Sequence, residues 1–255
     1  MAKPLVYLVL GAAGSGRRKV IADLIDGGFG ETDHAALMLA EGETATETEK
    51  NFATLERWRW TDEGTIDGAL PPGAAHVFFV TDGRRNPVDQ IEAVAPWVLA
   101  QGGELARVLC VVNCQLVEKN PPLVAWFDAC VQFSDVVLLN RREGVANKWL
   151  SDFQAHYRDM FLPCLFELVK EGRVKNPALV LDPQARRMSH VFDEEKEYFV
   201  TGKDGAKRSV DELDEDEAIE EGEEEVEVTP EEEPYFVRDA AGRRAKKIPD
   251  IAKYL

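Results

Sequence analysis

The chain has 255 residues, 45% of them hydrophobic and 30% charged, and a net charge of −17. That charge excludes general nucleic-acid binding, which needs a basic face against the phosphates. The apolar fraction is that of a globular protein, and no run of 18 apolar residues is present to cross a membrane as a helix.

The first element is a strand, Leu5–Leu10 (LVYLVL), followed at once by GAAGSGRR (Gly11–Arg18) and by a helical pattern over Arg17–Asp26. A second strand is predicted at Ala35–Ala40. Residues 41–73 are polar, rich in Thr and Glu, and read as a long, partly irregular connection. Strands then follow at His76–Thr81, Arg107–Asn113, Asp135–Asn140 and Ala178–Leu181. Helices are predicted at Val88–Ala100, Pro121–Gln132, Ala146–Phe161 and Leu162–Gly172, with Pro87 and Pro121 placed where a helix begins. The runs FFV, LCVV and VVLL are apolar without alternation, the pattern of strands covered on both faces. Alternating strands and helices predict an α/β fold of three layers around a mainly parallel sheet, spanning residues 1–190.

From about residue 191 to 255 charged residues dominate, and this stretch reads as an acidic, flexible tail. Asp211–Glu233 holds fifteen Asp and Glu and no basic residue, so −15 of the −17 lies there. The acidity belongs to one segment rather than to the folded body. A short motif occurs twice, 37 residues apart: Tyr198-Phe199-Val200 with Gly205, Lys207 and Arg208, and Tyr235-Phe236-Val237 with Gly242, Arg243 and Arg244. KDG in the first copy is a hairpin-turn signal. Two such segments, Tyr198–Arg208 and Tyr235–Lys247, on an acidic tether read as two docking sites for a protein partner, or else as a chance likeness within a charged tail that aids solubility.

The four cysteines, Cys110, Cys114, Cys130 and Cys164, form no C-x-x-C pair and read as buried free thiols in a reducing cytoplasm. His34, His76, His156 and His190 show no metal-ligand spacing.

GAAGSGRR has the frame of a phosphate-binding loop, G-x-x-x-x-G-K-[ST], between a strand and a helix. Such a loop turns backbone N–H groups toward phosphate oxygens, and the helix adds the positive end of its dipole. Gly11, Gly14 and Gly16 keep that geometry available, with Ser15 on the loop itself. Arg17 stands where the ammonium belongs. It keeps the charge, but on a larger planar fork. Arg18 stands where a hydroxyl would hold Mg²⁺, and it would repel the cation.

Three further stretches extend the comparison. The first loop, ALMLAEGE, VFFVTDGRRNPVDQI and DVVLLNRREGV, in this order along the chain, resemble the motifs of the CobW/UreG/HypB-like GTPases, nucleotide-dependent metal-insertion chaperones. The resemblance covers Leu5 to about Val145. It implies that Gly83 offers its N–H to a γ-phosphate and that Asn140 belongs to the guanine-reading motif NKxD. It also implies that Asp82 is the surviving carboxylate for magnesium or water, because Val80 replaces the acidic residue that opens the family's second motif. Arg141 and Glu143 replace the lysine and aspartate of NKxD; a carboxylate at 143 still has the chemistry to pair with guanine N1 and N2. The family's cysteine metal motif would fall within 55–66, where the sequence is LERWRWTDEGTI, without cysteine, so no zinc site is expected.

Three functions share this fold. One is a nucleotide-binding switch with slow or no turnover, holding GTP/GDP or ATP with Mg²⁺. The second is a pseudo-GTPase scaffold whose arginine-filled loop takes a simple anion or an acidic segment, the protein's own tail included. The third is a small-molecule kinase, since GAAGSGRR also resembles an adenylate-kinase-like turn. A slow CobW-like GTPase is the variant of the first with catalysis retained. Loss of the lysine and of the Mg²⁺ hydroxyl removes the groups that neutralise charge in phosphoryl transfer, so efficient hydrolysis is not expected.

Overall fold

The apolar stretch Leu5–Leu10 forms β1, and its position decides the rest of the architecture. In a computed structural model of the chain, β1 pairs in parallel with β5 (His76–Val80) on one side and β6 (Glu104–Asn113) on the other. The structure describes residues 3–30, 33–44, 46–48, 52, 54–193, 199–201, 207–209 and 233–255. Beyond β5 lie β2 (Ala35–Ala40), β3 (Thr54–Trp60) and β4 (Ile66–Asp67); beyond β6 lie β7 (Val136–Asn140) and β8 (Leu165–Leu168). The sheet has eight strands in the order β4-β3-β2-β5-β1-β6-β7-β8 and is parallel except for the β3–β4 pair. This is the mixed α/β arrangement expected from the sequence, consistent with a P-loop NTPase fold.

Helices cover both faces, which is why the central strands carry unbroken apolar runs. On one face Val20, Ile21 and Leu24 of α1 (Arg17–Gly28) and Val180 and Leu181 of α6 (Pro177–Leu181) pack onto Tyr7, Val9, Phe78 and Leu138. Phe79 points the other way. It meets Trp58 and also Trp97 of α2 (Pro87–Ala100), with ring centroids 4.9 and 5.1 Å away. Beyond α3 (Cys114–Lys119), α4 (Val124–Gln132) packs against α2 and β6 on that side, and α5 (Asn147–Asp159) sets Tyr157 against Phe166 of β8. All four cysteines are buried as free thiols. Among the described residues, no helix is long and apolar enough to cross a membrane.

The structure corrects three readings of the sequence. The segment Leu162–Gly172 is not a helix: Leu165–Leu168 takes the open position beside β7 and pairs with it as a strand. Ala178–Leu181 is not a strand but part of α6, which Pro177 opens at its first position. The connection 41–73 contains β3 and β4, so it extends the sheet by two strands.

The chain forms two compact units, one of Met1–Val191 with Glu233–Leu255, the other of Phe192–Glu232. The sequence places residues 233–255 in the tail; they pack into the first unit, where Ile251 and Tyr235 are buried. In the second unit β9 (Phe199–Thr201) and β10 (Lys207–Ser209) pair antiparallel. Apart from Glu233, the acidic run lies outside the described residues, and so does Tyr198.

Candidate functional site

The parallel pairing of β1 with β5, in which Val9 faces Val80, puts the loop after β1 beside the loop after β5. Asn113 facing Asn140 brings the end of β7 to the same edge. The carboxyl ends of four neighbouring strands, β5, β1, β6 and β7, therefore converge on Gly11–Gly16, where ligands of open α/β sheets are bound.

The loop opens α1 through Gly16, whose φ of 87° is left-handed. The first turn of α1 has no acidic residue and no side-chain cap. Two arginines thus sit at the positive end of the helix dipole, an unfavourable arrangement unless an anion is nearby. Glu43 is that anion. Its carboxylate accepts from Arg17 Nη2 at 2.5 Å through Oε1 and from Arg18 Nη2 at 2.8 Å through Oε2. Arg17 is only 4% exposed and Glu43 only 6%, so this is a buried pair. Arg17 Nη1 also donates to the carbonyl of Thr81 at 2.5 Å, and Arg18 Nη1 donates to that of Thr44 at 2.6 Å. Burial pulls the Arg17 guanidinium below its ordinary pKa; the charges of Glu43 and then Asp82 oppose that shift.

Glu43 is itself held. Its N–H donates to the Ala40 carbonyl at the end of β2, and its carbonyl accepts from Arg57 of β3 at 3.0 Å. Sequence reasoning did not single out Glu43. The signal for it is the acidic pair in ALMLAEGE, just past a buried strand and opposite two arginines.

Gly83 lies directly on the phosphate loop. Its carbonyl accepts from the N–H of Ala13 at 3.0 Å, and a Cβ at position 83 would collide with Ala13 N and stand 2.7 Å from Arg17 Nη2. Only glycine permits that approach. One of the loop's N–H donors is therefore spent on the neighbouring loop, and Ser15 N–H is spent on the Ala12 carbonyl at 3.1 Å. Ser15 Oγ is buried with no hydrogen-bond partner among the described residues. Gly14 is exposed at the tip of the loop.

Asp82 sits beside the loop, but its carboxylate holds its own turn. Oδ1 accepts from Arg84 N–H at 3.0 Å and Oδ2 from Arg85 Nε at 3.1 Å. Gln90 of α2 clamps the Asp82 backbone from both sides, accepting from its N–H at 2.7 Å and donating to its carbonyl at 3.1 Å. Asn140 is buried and donates through Nδ2 to the Ser15 carbonyl at 2.8 Å, tying β7 to the loop. Glu143 stands exposed in the turn after β7, and its backbone carbonyl accepts from Gln115 Nε2. The structure thus gathers Gly11, Gly14, Ser15, Gly16, Arg17, Arg18, Gly83 and Asn140 around one loop, with Asp82 at its side and Glu143 farther out. Among the described residues, no group of three or more His, Cys, Asp or Glu stands together as a metal site.

A magnesium nucleotide does not fit this donor set as it is arranged. The space beside the loop holds a carboxylate paired to both arginines, and no hydroxyl stands at position 18.

A second site was not anticipated as an internal contact. The segment after Glu233 docks against α2 and the end of α4. Phe236 stacks on Phe133 with centroids 5.6 Å apart and rings 24° from parallel, and Tyr235 meets the same ring at 6.0 Å. Arg244 reaches Asp89 at 2.7 Å and pairs with Glu92, which also takes Arg238 at 2.8 Å. Arg244 further donates to the Tyr235 carbonyl at 3.1 Å, so the segment closes on itself over α2. Lys246 lies 4.2 Å above the Tyr235 ring. Burial pushes the Tyr235 hydroxyl pKa up, with Asp128 adding to it.

No known protein-family model matches the chain, and no curated protein matches it. Among solved structures, a zinc(II)-bound triple mutant of YjiA GTPase is similar over 77% of this chain and 70% of its own, at 13% identity and a TM-score of 0.42. Zinc(II)-bound YjiA GTPase from E. coli is similar over 73% of this chain and 67% of its own, at 12% identity and a TM-score of 0.39. Likenesses this low carry no residue-by-residue correspondence; the reading of the site rests on its own geometry.

Proposed function

We propose that this protein is a pseudo-GTPase scaffold: a P-loop GTPase-like fold whose phosphate site is filled from within and whose C-terminal segments dock a protein partner. The observation that carries the reading is the Glu43 carboxylate clasped by Arg17 and Arg18. The cations that would meet a phosphate are already neutralised, and a phosphate would have to displace a buried ion pair to reach them. The hydrolytic apparatus is also diverted, since Asp82 braces its own turn. Titration calorimetry with GTP, GDP and ATP, each with and without Mg²⁺, tests it. No heat of binding is expected up to millimolar nucleotide; micromolar binding of a guanine nucleotide overturns the reading.

One observation favours a second reading, a phosphate-binding switch. Ser15 Oγ is a buried donor with no partner among the described residues, and an incoming phosphate oxygen would satisfy it. On that reading an anion and Glu43 compete for Arg17 and Arg18. Glu43→Ala would then bind pyrophosphate at least tenfold more tightly than the unaltered protein, and equal affinities exclude the switch.

A further inference from the structure

The segment Tyr235–Lys247 is a hairpin. Arg238 and Arg244 form an antiparallel bridge, and the turn closes through Gly242, whose φ is 75° and whose N–H donates to the Asp239 carbonyl at 2.8 Å. This hairpin grips the first two turns of α2. Arg244, with its side chain only 9% exposed, pairs with both Asp89 and Glu92, three residues apart on one helix face. Two carboxylates at that spacing repel each other, and the shared guanidinium turns the repulsion into attraction. Arg238 brings a second cation to Glu92, and Tyr235 and Phe236 close over Phe133 at the end of α4.

Gln90 lies between the two paired carboxylates, on the same turn of α2, and is 1% exposed. Its amide holds the Asp82 backbone through the N–H at 2.7 Å and the carbonyl at 3.1 Å, and it donates to the Asn86 carbonyl at 3.2 Å. Where the first turn of α2 stands therefore decides where Asp82 stands. The next residue, Gly83, takes the N–H of Ala13 in the phosphate loop. Arg244, Asp89, Gln90, Asp82, Gly83 and Ala13 thus form one unbroken series of contacts from the C-terminal hairpin to the loop.

Resting on the reading of the loop as a phosphate site filled from within, we propose that this hairpin is a latch on that site. Bound to α2, it keeps the Gln90 amide on Asp82 and the Gly83 carbonyl on Ala13. Released, it leaves Asp89 and Glu92 to repel each other, the first turn of α2 loosens, and the Ala13 N–H returns to the loop as a donor. The coupling runs both ways: whatever takes the hairpin from α2 opens the loop, and whatever needs the open loop weakens the hairpin's hold.

Amide hydrogen exchange on the full-length chain tests it. In Arg244→Ala with Phe236→Ser, the N–H groups of Ala13 and Asp82 are expected to exchange at least fivefold faster than in the unaltered protein. Those of Val108 and Val174, bonded to Asp135 and Asp23 away from α2, should keep their rates. Arg244→Gln alone serves if circular dichroism shows that the double variant does not fold. Faster exchange at Ala245 in the hairpin with none at Ala13 and Asp82 overturns the latch, and so does an acceleration that Val108 and Val174 share, which makes the hairpin a general brace. Either result leaves the filled site intact, since that rests on Glu43. GTP titrated onto the released variant separates the two readings in the other direction. Silence supports both; micromolar binding by the released variant alone keeps the latch and overturns the filled site.

Discussion

Glu43 shows how much one carboxylate decides. Removing it leaves Arg17 charged, nine-tenths or more buried, and without its counterion. Glu43→Ala is expected to cost about 3–5 kcal/mol in urea unfolding, because breaking a buried pair leaves an uncompensated charge. Arg17→Met with Glu43→Leu should recover most of that loss, since the two residues act as a unit. A cost under about 1 kcal/mol for the single variant would mean that the pair is not desolvated. A second residue ties stability to pH. His76 stacks on Phe29 at 4.1 Å, and burial lowers its pKa, with Asp33 opposing. Between its folded value and the unfolded value of about 6.5, the unfolded chain takes up a proton that the folded chain refuses. Stability should therefore fall as pH drops through about 6.5, and a His76→Gln variant should lose less between pH 7.5 and pH 5.5 in urea midpoint than the unaltered chain. At this scale the sequence made the loop legible, because glycine spacing and a flanking strand and helix are local. Glu43 was not legible: its partners lie 25 and 26 residues away, and nothing local separates a pairing glutamate from a solvated one.

At the scale of the element, local pattern and tertiary demand part company at two places. The stretch Leu162–Gly172 is apolar enough for either a helix or a strand, and periodicity alone does not choose. The open position beside β7 chooses the strand. Ala178–Leu181 is a short apolar run that reads as a strand, yet β8 already holds the edge beside β7, and the run packs as α6 against α1. The hairpin Tyr235–Lys247 was legible as a repeat but not as a contact, since its counterpart on α2 lies about 150 residues earlier in the chain. Its turn depends on Gly242. Gly242→Val places a β-branched residue at φ 75°, at a cost of about 1–2 kcal/mol. Ala245 N–H, bonded to the Val237 carbonyl at 2.9 Å, should then exchange about tenfold faster. Unchanged exchange at Ala245 would show that the hairpin does not close through this glycine.

Across the whole molecule, the α/β class and most of the sheet followed from alternating elements whose strands lack polar alternation. Two strands of the sheet, β3 and β4, hid in a segment whose composition is polar because β3, near the sheet edge, buries only Trp58 and leaves its other positions half-buried or exposed. The last 23 residues hid for a different reason: composition separates charged from apolar chain, and this segment packs through rings and arginines rather than through an apolar stripe. The tight packing of Gly83, Asn140 and Glu43 around the loop makes the candidate site a structural joint between three strands. Loss of the joint should therefore register as loss of stability before it registers as loss of ligand.

The return of residues 233–255 to the first unit has a consequence for how the polypeptide is held together. Its last stretch is attached twice, once covalently through the acidic run and once through rings on Phe133 at the end of α4 and ion pairs on α2. A protease site inserted between 210 and 232 and then cut should yield two fragments that migrate as one species in size exclusion at low salt. High salt should weaken the paired arginines and release the short one. The covalent backbone there is a leash on a ligand that already grips its receptor, so the molecule behaves as a natural split protein whose halves happen to have been made as one.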